Sequence, residues 1–107
     1  MATTRGTAVV TGAGRGLGAA IATMLVARGF VVEVTDVDGD AARALATQLG
    51  AAAYGSGLDV RDPAACRELA ERVDAAGRLD LWVNNAGVLT TAPTWEHDDA
   101  QRQLIMD

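Results

Sequence analysis

The eight residues Thr11-Gly12-Ala13-Gly14-Arg15-Gly16-Leu17-Gly18 follow the apolar run Ala8-Val9-Val10 almost at once, with glycine at every second position from 12 to 18. Inside a helix or strand each glycine costs roughly 0.5–1 kcal/mol relative to alanine. The run therefore reads as a turn that needs a bare backbone. A turn leading from a strand into a helix brings backbone N–H groups and the positive end of the helix to one point, which suits a phosphate. In that reading Gly12 makes the sharp turn, Gly16 admits a pyrophosphate against the backbone, and Gly18 lets the helix pack close to the strand. A P-loop is excluded, because a chain without lysine has no Gly-Lys-Ser/Thr.

Three other groups fall where the same ligand would lie. Asp36 closes the run Phe30-Val31-Val32-Glu33-Val34-Thr35, twenty residues after Gly16. A carboxylate there accepts hydrogen bonds from a ribose 2′-OH. Asp59-Val60 and Asn84-Asn85-Ala86-Gly87 also end strand-like runs, and open α/β sheets bind ligands beyond the carboxyl ends of their strands. Taken singly, Asp59 is equally a solvated loop carboxylate, and Asn-Asn-Ala-Gly is a turn. Gly14-x-Gly16-x-x-Ala19 meets the general dinucleotide fingerprint only in its alanine form, and Gly12-x-x-x-Gly16-x-Gly18 has a different spacing.

These residues need elements to position them. Thr7–Thr11 is a β-branched run, and Gly16–Arg28 carries Leu17, Ile21, Met24 and Leu25 at helical spacing. Phe30–Thr35 is a second strand. Asp38–Leu49 is a helix with Ala42, Leu45 and Leu49 on one face, and Gly50 ends it. A weaker third strand lies within Ala51–Val60. Asp62-Pro63 opens a helix to Ala76 that turns Leu69, Ala70 and Val73 inward. Leu79–Asn84 is a fourth strand, and a last helix starts near Asp98.

Alternating strands and helices imply a doubly wound parallel α/β sheet with right-handed crossovers. In a strand order of 3-2-1-4 the fourth strand is an edge, yet Leu81-Trp82-Val83 is apolar and has no proline or lysine to guard it. The expectation is one incomplete domain over 1–107, the first four strands of a larger sheet. Cover by an oligomeric partner is the alternative.

Length and composition fit one globular domain: 107 residues, 50% apolar and 21% charged. No apolar stretch approaches the roughly 18 residues of a membrane span, and no signal peptide is evident. Cys66 is the only cysteine, so no internal disulfide or cysteine-based zinc site is expected, and a cytoplasmic location is the default. The net charge is −5, and the nine basic residues are arginines spread along the chain, which speaks against nucleic-acid binding. No metal site is expected: Asp36, Asp38 and Asp40 cluster, but Asp36 has the ribose role and Asp38 suits an N-cap. His97 reads as a surface residue, Cys66 as small core, Trp82 as sheet packing, and Trp95 as a possible substrate neighbour.

With Thr11-Gly12-x-x-x-Gly16-x-Gly18, Asp36, Asp59-Val60 and Asn84-Asn85-Ala86-Gly87 in place, the chain resembles the short-chain dehydrogenase/reductase family along essentially its whole length. The resemblance implies a Rossmann fold, a nicotinamide cofactor and hydride transfer between an alcohol and a ketone, in a homo-oligomeric parent enzyme. It implies that Gly12, Gly14, Arg15, Gly16, Leu17 and Gly18 cradle the pyrophosphate and that Asp36 holds the adenosine ribose. Asp59 and Val60 would flank the adenine, and Asn85, Ala86 and Gly87 would line the centre of the cofactor, with Asn84 bracing the sheet.

The family's Tyr-x-x-x-Lys is missing: the only tyrosine, Tyr54, is followed four residues on by Leu58, and Ser56 is the only serine. No catalytic residue is assigned within this chain. For the cofactor, Asp36 would meet a 2′-phosphate with like charge, a cost of up to roughly 4 kcal/mol per pair at about 4 Å and an effective dielectric near 20. Arg15 is compatible with NAD or NADP, so the expectation is NAD. The other readings are a non-catalytic dinucleotide-binding module and an S-adenosylmethionine-dependent methyltransferase.

Overall fold

The computed structural model describes residues 5–86. Within them the chain forms β1 (Gly6–Val10), α1 (Gly16–Ala27), β2 (Phe30–Asp36), α2 (Gly39–Leu49), β3 (Ala53–Gly57), α3 (Pro63–Ala76) and β4 (Leu79–Val83). All four strands pair in parallel, in the order β3-β2-β1-β4. This is the doubly wound Rossmann arrangement expected from the alternation of elements. Gly87, Trp95, His97 and the helix expected from Asp98 lie outside the described residues.

Strand side chains alternate between the two faces of the sheet. Ala8, Val10, Val32, Val34 and Val83 pack with Ala22 and Leu25 of α1 and Ala42 and Ala46 of α2. Val9 points the other way and packs with Leu58 and with Leu69 and Val73 of α3; Cys66 and Trp82 border that cluster. Aspartates start α2 and α3: Asp38 accepts the Ala41 N–H at 3.1 Å, and Asp62 accepts those of Ala64 and Ala65 at 3.1 and 3.2 Å. Pro63 fits the first turn of α3, where its missing N–H leaves no bond unmade.

One detail differs from the sequence reading, and two are sharpened by the structure. On α1 the buried residues are Gly18, Ala22 and Leu25, while Leu17 and Met24 are exposed. This helix is apolar nearly all round, and the small residues win the sheet side because α1 rests almost on the backbone of the preceding turn. β3 is confined to Ala53–Gly57, because the chain first turns through Gly50, which has φ +98°. Finally, β2 holds a buried charge. Glu33 is only 6% exposed, and its carboxylate accepts from Ser56 Oγ at 2.9 Å and from Arg72 at 3.3 Å. These partners offset the cost of burying it, and they tie Ser56 into the sheet.

Candidate functional site

β1 feeds the chain into the glycine turn at Thr11. Gly12 and Gly16 take φ of +60° and +62°, a left-handed backbone that side chains disfavour. The turn is laced to β2 by the Ala13 N–H, which donates to the Thr35 carbonyl at 2.8 Å. The glycines meet different surroundings. A β-carbon on Gly18 would overlap the Gly12 carbonyl, and one on Gly12 would come within 3.1 Å of the Ala86 backbone. One on Gly16 would meet nothing within 4 Å. Two glycines thus permit close packing of the protein on itself, and Gly16 leaves an open approach to the backbone.

Gly14 has its own reason. Its N–H donates to Asp36 Oδ2 at 2.9 Å, and a β-carbon there would press on that carboxylate and on Ala41 Cβ at 2.8 Å. Asp36 Oδ1 accepts the Asp38 N–H, also at 2.9 Å. The carboxylate at the end of β2 is therefore anchored against the glycine turn. Ala41 escaped the sequence reading, since only the structure shows that its size matters beside Gly14.

The loop after β4 closes on the same turn. Thr11 Oγ1 donates to Asn84 Oδ1 at 2.8 Å and accepts the Ala86 N–H at 3.1 Å, while Asn85 Nδ2 donates to the Gly12 carbonyl at 3.1 Å. The Asn84 contact joins the residues just past β1 and β4, and its partner Thr11 is fully buried. Thr11 had no assigned role in the sequence beyond opening the glycine run.

α1 has no side-chain cap at its start, where Arg15 is the N-cap residue, in contrast to α2 and α3. Its first-turn N–H groups, unbonded within the helix, begin at the open position of Gly16. Leu17 is 53% exposed on this turn. Arg15 reaches across to Asp38, with its NH2 group 2.8 Å from Asp38 Oδ2.

Asp59 and Val60 stand on the same edge of the sheet, just past Leu58, whose N–H donates to the Asp36 carbonyl at 2.9 Å. The Asp59 carboxylate accepts from Arg61 Nε at 3.0 Å, from its NH2 group at 2.9 Å and from the Arg61 backbone N–H at 2.9 Å. The side-chain bonds first, then the backbone bond, bring its pKa down to about 2. Val60 packs on the α3 cluster, and its carbonyl accepts weakly from Cys66 Sγ at 3.8 Å. Burial, with the charges of Asp62 and Asp59, pushes the Cys66 thiol up. Contacts thus join Gly12, Gly14, Gly18, Asp36, Asn85 and Ala86 directly, while Asp59 engages Arg61 rather than the turn.

Elsewhere, a cavity of about 640 Å³ opens at the amino ends of the strands, lined by Arg5, Glu33, Tyr54, Arg72, Arg78 and Asp80. Four of its charges pair internally, Arg72 with Glu33 and Arg78 with Asp80. Tyr54 lines this cavity, and Ser56 meets it through its bond to Glu33. Among the described residues no cluster of His, Cys, Asp and Glu is arranged to hold a metal, and no helix is long and apolar enough to cross a membrane.

Residues 6–107 match the short chain dehydrogenase family. The chain belongs to that family. Short-chain dehydrogenases use NAD(P) nucleotides, and membership removes the methyltransferase reading. The chain is 43% identical over 91 residues to a sorbitol dehydrogenase of Cereibacter sphaeroides, covering 84% of this chain and 36% of that protein. It is 45% identical over 82 residues to the 3-oxoacyl-[acyl-carrier-protein] reductase FabG of Escherichia coli, covering 76% and 34%. The solved short-chain dehydrogenase SrlD of Erwinia amylovora, a sorbitol-6-phosphate 2-dehydrogenase, superposes with a TM-score of 0.70 at 35% identity, over 91% of this chain and 40% of that one. The chain thus spans about a third of the length of the curated relatives it matches.

Proposed function

We propose that this chain forms the NAD(H) seat of an oxidoreductase that interconverts an alcohol and a ketone. The observation that carries the reading is the anchoring of Asp36 beside the glycine turn, through the Gly14 N–H at 2.9 Å. A carboxylate so placed accepts the two hydroxyls of an adenosine ribose and repels a 2′-phosphate. The bare backbone at Gly16 and the uncapped start of α1 fit a pyrophosphate, whose charge the helix end favours.

In this reading Gly12–Gly18 hold the pyrophosphate, Asp36 the ribose, Asp59 and Val60 the adenine, and Asn85, Ala86 and Gly87 the centre of the cofactor. When bound, the nicotinamide supplies or accepts the hydride. The chain's own residues bind and orient it: the turn fixes the phosphates, and the bonds from Thr11 and Asn85 hold the β4 loop in register with that turn.

The proton donor is proposed to come from outside this sequence. Ser56 is spent on Glu33, and Tyr54, level with Glu33 in the sheet, has Leu58 rather than a lysine four residues on. The apolar, only partly buried edge of β4, at Leu81 and Trp82, supports further strands beside it. Small alcohols or ketones as substrates, a homo-oligomeric enzyme and a cytoplasmic location complete the proposal; the single Cys66 agrees with a reducing compartment.

Titration with NADH and NADPH, followed by their fluorescence, tests the reading. Saturable binding with NADH the tighter ligand is expected. Absence of binding by both would remove it.

A further inference from the structure

Beside Asp36 lies a second charged pair. The Arg15 guanidinium, 72% exposed, leans on Asp38 Oδ2 at 2.8 Å. Asp38 Oδ1 meanwhile accepts the Ala41 N–H, and the Asp38 N–H donates to Asp36 Oδ1. Gly14, Asp36, Asp38 and Arg15 therefore form a closed ring of contacts around the end of β2, completed by the Gly14–Arg15 peptide bond. The ring contains one cation and two carboxylates. Arg15 is the only cation contacting it among the described residues, and its charge is directed onto Asp38.

From this geometry we infer that Asp38 is a positioning residue for cofactor choice, one that holds Arg15 away from the ribose 2′ position. The inference rests on the dinucleotide reading of the site. A 2′-phosphate beside Asp36 is repelled by Asp36 and Asp38 alike, and among the described residues Arg15 is the cation in contact with this ring. While Arg15 is held by Asp38 it screens that carboxylate instead. Discrimination against a 2′-phosphate then has two parts, the charge of Asp36 and the tether on Arg15. An exposed ion pair is a weak restraint, so the tether shifts the balance without closing the site.

Asp38→Asn separates the roles of this residue. Asparagine caps a helix as well as aspartate does, so α2 keeps its start while the hold on Arg15 is lost. Asp38→Ser, a second capping residue, guards against a fault peculiar to the amide. Dissociation constants for NADH and NADPH are measured on the full chain, in the wild type, both variants, Arg15→Gln and the double variant Arg15→Gln/Asp38→Asn. The expected result is an NADPH constant about three- to tenfold lower in both Asp38 variants, with the NADPH-to-NADH ratio falling accordingly. In the Arg15→Gln background only relief of the repulsion by Asp38 itself remains, so the same change at Asp38 should shift the ratio by less than it does with Arg15 present, the non-additivity of coupled residues. An unchanged ratio in the Asp38 variants overturns the inference. So does an equal shift with and without Arg15, which would mean simple charge relief. If the wild type binds neither nucleotide, the dinucleotide reading itself falls, and the inference with it.

Discussion

The Asp36 carboxylate accepts the backbone N–H of Gly14 at 2.9 Å, across 22 residues of sequence. This contact fastens the end of β2 to the turn after β1 and sets a negative charge beside the backbone proposed to hold the pyrophosphate. Replacing Asp36 with alanine or arginine should shift relative affinity toward NADPH by more than about tenfold. Even half of the roughly 4 kcal/mol assigned to one close like-charge pair exceeds that factor. Paired titrations with NADH and NADPH check it; unchanged discrimination counts against the role of Asp36.

Gly16→Ala and Gly18→Ala should fail in different ways. The left-handed backbone at Gly16 makes alanine cost about 1–2 kcal/mol of stability. Its new methyl meets no protein atom within 4 Å, so the principal loss should be nucleotide affinity. Gly18→Ala overlaps the Gly12 carbonyl and should cost about 1–3 kcal/mol or more, as overpacking does. Thermal melts and nucleotide titrations on the same samples distinguish the two.

Thr11→Val keeps the shape of a fully buried side chain and removes its hydroxyl. The Ala86 N–H and Asn84 Oδ1 then lose their partner, at a cost of about 1–3 kcal/mol. Thr11→Ser, which keeps the hydroxyl, should retain most of the stability. Urea denaturation of the two variants measures the difference.

Asp59 yields a pH prediction. Its carboxyl is held at about 2 against an ordinary 3.8 by the donors of Arg61. A group lowered on folding stabilises the native state above its unfolded value. That contribution fades as pH falls through the window from about 3.8 to about 2. Carbon-detected NMR titration of the Asp59 carboxyl should find a midpoint near 2, and Arg61→Gln should move it toward 3.8.

Much of the fold was legible because parallel strands buried on both faces read as apolar runs, and because Asp38, Asp62-Pro63 and the glycines after helices punctuate them. The strand order followed from that alternation. The helix face of α1 did not: Leu17 and Met24 outrank Gly18 and Ala22 in hydropathy, but close approach to the Gly12 carbonyl selects small residues. Glu33 was likewise hidden, since its partners Ser56 and Arg72 stand 23 and 39 residues away. At the site, glycine spacing marked the turn, and Asp36 marked the strand end. The reasons for Gly14, Ala41 and Thr11 depend on contacts between distant segments, including the 75 residues that separate Thr11 from Ala86.

NAD(H) is proposed to sit on the turn between β1 and α1. Mapping amide chemical-shift changes while NADH is added tests it most directly. The account expects the largest changes at Gly12–Gly18, Asp36, Asp59-Val60 and Asn85-Ala86. Changes centred instead on Arg5, Gly6, Thr7 and Arg78, at the amino ends of the strands, would contradict it.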